Sequence, residues 1–172
     1  MTSYQTTAGA YVLRVDDGAL IPPDIENADY LELLAWQAAG GVIEPAPLPS
    51  LDAVRAARDA DLSAACAAAI TSGLMLDVTG VVLFYPTGVT DQLNISGVVS
   101  LTLLGVPDGW TQDLTTRDAA GVWARRSHTA AQVQAVGRAV AAHVDACRAR
   151  LSDRRGALAA AGSSEEIAAV VW

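Results

Sequence analysis

At 172 residues, the chain has room for one principal domain and a small appendage. Apolar residues make up 52% of it but aromatics only 5%, so the core is built mainly from Ala, Val and Leu, packed helix on helix. A net charge of −8, with arginine as the sole basic residue type, leaves no basic face for phosphate and argues against nucleic-acid binding.

The charge is unevenly spread. Residues 1–110 hold three Arg and thirteen acids, whereas residues 111–172 hold eight Arg and six acids. Cys66 and Cys147 both fall in helical apolar patterns and read as small core residues rather than a disulfide framework, which fits cytosolic synthesis. The opening residues 1–15 carry no charged region followed by a continuous apolar run, so no signal peptide is expected. The longest apolar stretch, residues 98–106, is far too short to span a membrane.

Residues 1–41 read as a first module of strand, turn and helix. YVLRV at 11–15 has strand composition, and the Asp16, Asp17, Gly18 run is a turn in which Gly18 supplies positive φ. The pair Pro22 and Pro23 keeps the chain extended after Ile21. Asn27 is an N-cap for a helix running to about Ala39 and stopped by Gly40 and Gly41, with Asp29 in its first turn facing the helix dipole. The apolar face of this helix, with Tyr30, Leu33, Leu34 and residues 36–38, is more than so short a helix buries alone. It is therefore expected to lie on the strands or on another protein.

Residues 42–50 follow, with three prolines at 45, 47 and 49, and read as a stiff spacer. From there a second domain, 51–172, begins. Ser50 caps a helix from Leu51 to about Thr71, with Val54, Leu62, Cys66 and Ile70 near one stripe and a stop at Gly73. Residues 74–78 and 81–85 flank Thr79 and Gly80, a two-residue loop that fits a tight β-hairpin.

The stretch 81–97 then turns through Pro86, Thr87 and Gly88 into a helix. Its β-branched residues Ile95, Val98, Val99 and Thr102 favour strand, but its length and the stop at Gly105 favour helix from Thr90 to Leu104. Residues 110–127 are polar and mixed, with a loop or hairpin tip at 118–121. Thr129 and Gln132 form a capping box for a long helix reaching Ala161, striped by Val133, Val136, Val140, Val144, Cys147 and Leu151. Ser163 and Glu166 make a second box for a short closing helix to Val171. The class expected is α+β: a small strand and helix module, then a mainly helical domain with a central β-hairpin and a long C-terminal helix.

No constellation in these residues carries chemistry. His143 and Cys147 share a helix face and Cys66 could join them, but a structural zinc takes four closely spaced ligands and no fourth is evident. Asp16 and Asp17 are turn residues, and Asp59 and Asp61 are a solvated helix face without the ligand count of a calcium loop. The sequon at 94–96 has no meaning without secretion. With neither a phosphate loop nor a nucleophile elbow, no enzyme, metal or cofactor is expected.

A resemblance adds to this reading. Arg14, the Asp17, Gly18 and Ala19 run, Ile21, Pro22, Asp24, Asn27, Asp29, Tyr30, Trp36 and Gly40 together resemble the opening module of small bacteriophage tail-fibre-associated proteins. From about Arg55 the chain resembles a domain of unknown function found in the same tail genes. The second match rests on Phe84, Tyr85, Asp91, Gln92, Leu93, Asn94, Gly97, Trp110, Thr129, Gln132, His143 and the closing SSEEI at 163–167. The chain departs from that pattern in being poorer in aromatics over 74–85.

The resemblance implies a tail protein of the fibre, tail tip or baseplate that acts by binding other tail proteins. It would be made in the bacterial cytoplasm and end up in the virion tail, without membrane insertion, and as a trimer if it belongs to a fibre. The alternatives are a fibre-assembly chaperone left out of the particle and, more distantly, an envelope-acting hydrolase. The residues expected to meet a partner are Arg14, Tyr30, Leu34 and Trp36, on a docking module held off by the 45–49 prolines.

Overall fold

The computed structural model describes residues 2–7 and 9–172. The fold is α+β, and the chain forms two compact units, Met1–Ser50 and Leu51–Trp172.

In the first unit, β1 (Tyr4–Thr6), β2 (Val12–Arg14) and β3 (Ala19–Ile21) form an antiparallel meander, with Leu13 opposite both Gln5 and Leu20. Gly18 closes the second turn at φ 73°, where a side chain would be strained. Helix α1 (Ala28–Ala38) starts on Asn27, whose side chain accepts from the Tyr30 N–H. Tyr4, Ile21 and Leu33 are buried at the centre, and Val12, Tyr30, Trp36 and Ile43 pack around them. This small unit therefore has a core of its own. Part of the expected spacer belongs to it as well. Glu44 exchanges backbone hydrogen bonds with Tyr4 and Thr6, and the Ala46 N–H donates to Thr6 Oγ1 at 2.9 Å.

The second unit is built on α4 (Ala130–Ala160), 31 residues and so about 46 Å long. Two helices lie antiparallel along it. The first is α2 (Leu51–Thr71), along which Arg155 grips Asp59, and Arg55 reaches the carbonyls of Leu158 and Ala161. The second is α3 (Val89–Leu104), on which Gln134 donates to Thr102 Oγ1 at 3.1 Å. Gly137 lets α3 come close, since a β-carbon there would run into Val99. The closing helix α5 (Ser164–Ala169) completes a buried cluster of Leu62, Leu158, Ala161, Ile167 and Val170.

A four-stranded antiparallel sheet takes the order β4 (Leu74–Asp77), β5 (Val82–Tyr85), β6 (Thr111–Arg117), β7 (Trp123–Thr129), with α3 inserted between β5 and β6. Its inner face joins Leu83 and Tyr85 to Ile95, Val136 and Val140. The first hairpin differs from the tight turn expected. Its last pair is Asp77 with Val82, so the loop has four residues, 78–81, with Gly80 at positive φ. The polar stretch after residue 110 proves to be a second full hairpin, pairing Thr111 with Thr129 through to Arg117 with Trp123.

The turn before α3 fastens this unit together. Buried Thr87 donates to the Ile70 carbonyl at 2.7 Å and accepts from the Gly73 N–H at 2.8 Å. Its own carbonyl receives the Gln92 side-chain amide at 2.8 Å. One residue thus ties the end of α2, the entry to β4 and the start of α3. The helix begins at Val89 rather than at the expected Thr90, with Gly88 as its N-cap, and Asp91 reaches back to accept the Gly88 N–H. On α4 the Thr129 and Gln132 capping box is fully formed. Thr129→Ala is expected to cost about 0.5–2 kcal/mol in urea unfolding, and an unchanged midpoint would mean the cap adds nothing.

Candidate functional site

The partner-binding residues expected in the first unit turn largely inward. The Trp36 ring lies 4.7 Å from that of Tyr4, and Tyr30 packs on the same core. Arg14 is occupied by Asp17 and Asp29, at 2.8 and 2.7 Å, and it joins the β2–β3 turn to the first turn of α1. That guanidinium holds the Asp17 carboxyl below its usual range. Leu34 is exposed, as are Leu20, Ile25 and Leu31.

Cys66, His143 and Cys147 do come together between α2 and α4. His143 Nε2 lies 2.9 Å from the Ala69 carbonyl and 3.9 Å from Cys147 Sγ. A carbonyl only accepts, so Nε2 carries the hydrogen and offers no lone pair to a metal. Burial pushes the Cys147 thiol pKa up, and its carbonyl accepts from Cys66 Sγ at 3.6 Å. Among the described residues, no group of three such side chains is placed to hold a metal ion. The trio closes the last turn of α2 onto α4.

The second unit presents a different feature, on α3. Residues 92–107 contain no charge, and this helix is apolar on opposite sides. Ile95, Val98, Val99 and Thr102 turn inward. Val89, Leu93, Leu101 and Leu104 lie on the opposite face at helical spacing, 69%, 68%, 46% and 87% exposed. Gly97 sits among them and opens to free space. Thr90 and Ser100 share this outer face, and a helix with apolar stripes on two opposite sides normally has both covered. This face was legible in the missing charges and was overlooked because one stripe was sought per helix.

Beside α3 lies a cavity of about 500 Å³. One wall is α3, with Asp91, Asn94, Ile95 and Val98, and the other is β6 from Gln112 to Thr115. Tyr85 and Pro86 close one end, and Arg125 reaches in from β7. The sheet next to it holds a buried polar pair. His128 Nδ1 lies 2.7 Å from the Arg126 carbonyl and must donate to it, so in the neutral ring Nε2 accepts from Tyr85 Oη at 2.8 Å. Burial raises the Tyr85 pKa above that of an ordinary phenol, and Asp77 adds to the shift. Arg126 then donates to Thr116 and to Asp118, pinning the hairpin tip.

The outer face of the sheet carries one aromatic cluster. Phe84 and Trp123 meet edge to face at 5.7 Å, with the Arg117 guanidinium 4.6 Å from the Phe84 ring. Phe84 also covers Gly73.

Against known proteins, a family described as Domain of unknown function (DUF4376) matches residues 53–171, nearly all of the second unit. No curated protein and no solved structure matches the chain.

Proposed function

The chain belongs to the DUF4376 family, a domain of unknown function, and we propose, on the sequence resemblance, that it is a structural protein of a bacteriophage tail. In this reading it binds other tail proteins at the fibre, tail tip or baseplate and performs no chemistry. One observation carries the binding role: the uncharged, solvent-facing side of α3 formed by Val89, Leu93, Leu101 and Leu104. Burying such a face against a partner returns roughly 25 cal/mol per Å² of apolar surface, and no charge has to be desolvated to do so. The tail assignment rests on the sequence resemblance, which spans both units.

The two units divide the work. The first keeps Tyr30 and Trp36 for its own core and offers Leu20, Ile25, Leu31 and Leu34 as secondary contacts. The second supplies the main contact through α3.

The test is a double variant, Leu93→Asp with Leu101→Asp, offered with the wild-type chain to tails isolated without it. Both positions are exposed, so the unfolding free energy should stay within about 1 kcal/mol of wild type. Binding to tails should fall by at least tenfold, because two carboxylates would be desolvated in an apolar contact. Equal binding of the two proteins would remove α3 from the interface.

A further inference from the structure

We propose that the cavity between α3 and β6 is a second binding site, which takes an extended peptide segment of a partner protein as an added β-strand. It is separate from the outer face of α3. Strand β5 ends at Tyr85 and meets β6 at a single pair, Phe84 with Arg117. The next residue, Pro86, has no N–H to give. Strand β6 nevertheless runs on from Arg117 back to Thr111, and among the described residues no strand pairs with it on that side.

The orientation of its backbone follows from the hairpin. The Asp118 N–H donates to the Val122 carbonyl across β6 and β7. In an antiparallel ladder these groups alternate, so even-numbered residues of β6 face β7 and odd-numbered ones face away. Arg117, the odd residue that meets β5, agrees with this.

Thr115 and Asp113 therefore aim an N–H and a C=O each into the cavity, about 6.8 Å apart along the strand. Among the described residues neither has a backbone partner there, and the Asp113 carbonyl meets only the adjacent Gln112 side chain at 3.3 Å. Paired donors and acceptors at a two-residue period match an extended backbone and few other ligands. The cavity volume of about 500 Å³ suits a segment of a few residues.

The walls set the side chains of that segment. Continuing the direction of β5, its residue opposite Thr115 points outward beside Arg125, which lies across from Thr115 on β7 and has no carboxylate partner among the described residues. An acidic residue fits there. The next residue points inward, toward Ile95, Val98 and Leu114, and is apolar. The one after it lies opposite Asp113, whose carboxylate has no cation among the described residues, and a basic residue fits. The sequence recognised is acid, apolar, base, with N–H groups at the outer two positions.

The full chain can be titrated with acetyl-Glu-Val-Lys-Val-amide, which begins at the place opposite Thr115 because Tyr85 already stands opposite Thr116, while amide exchange is read residue by residue. Exchange at Thr115 and Asp113 should slow by about tenfold or more, saturably, as expected for new ladder bonds. The charge-swapped peptide acetyl-Lys-Val-Glu-Val-amide should protect several-fold less at the same concentration. Asn94→Trp, which fills the cavity from the α3 wall and leaves the residues of β6 unchanged, should abolish the effect of the peptide. Unchanged exchange at both amides with millimolar peptide would overturn the proposal, as would saturable protection confined to β4 or β7. Equal protection by the two peptides would refute the charge pattern. Protection that grows with protein concentration and needs no peptide would make the occupant a second copy, against the assignment.

Discussion

Replacing His128 by alanine is expected to destabilise the second unit by about 3–5 kcal/mol, among the largest effects of any single change. The imidazole is fully buried, and both nitrogens are spoken for, one by the Arg126 carbonyl and one by the Tyr85 hydroxyl. Truncation leaves a void and also strands two polar groups away from water, each at about 1–3 kcal/mol. Tyr85→Phe removes only the hydroxyl and should cost about 1–3 kcal/mol, because Nε2 then lacks its donor. Urea unfolding of the full chain measures both. A His128→Ala loss below about 1 kcal/mol would mean that water reaches the site and satisfies the pair.

Ile167→Ala should cost about 2–5 kcal/mol by a different route. Ile167 is completely buried and plugs the cluster of Leu62, Leu158, Ala161 and Val170, where α5 closes over α2 and α4. Few other ties hold α5 down. Arg58 reaches the Ala168 carbonyl at 3.2 Å, and the ring of Trp172 lies 4.7 Å from the Arg150 guanidinium. Loss of the plug should therefore release α5 first. Its amides should exchange faster than those of α4 well before global unfolding, and equal protection of both helices would show that the cluster holds without Ile167.

The helices were legible because their ends are written in local chemistry. Asn27, Thr129 and Ser163 each accept the expected backbone N–H, and Gly40, Gly73 and Gly105 follow their helices at positive φ. These signals need only a few neighbouring residues. The tip of the second hairpin at 118–121 was legible, but its strands were hidden because much of their inner face is polar: Gln112, Thr116, Arg126 and His128 alternate with exposed residues. Arg126 satisfies Thr116 across strands and Tyr85 pairs with His128, which no hydrophobic alternation reveals. Strands β1 and β3, three residues each, are too short to carry a period.

The site was less legible than the fold. Aromatics at 30 and 36 attract attention in a sequence, yet the small first unit needs them for its own core. Leucines on a helix already assigned to the core attract none, although five large apolar residues of α3 are exposed. The open edge of β6 depends on where β5 stops, and Pro86 gives that away only once the register is known.

Mass spectrometry of purified phage particles tests the central claim most directly. The account predicts peptides of this chain at a fixed copy number per tail, retained through density-gradient purification. Infectious particles that lack the chain, while it accumulates with fibre protein in the lysate, would contradict it and make the protein an assembly chaperone instead.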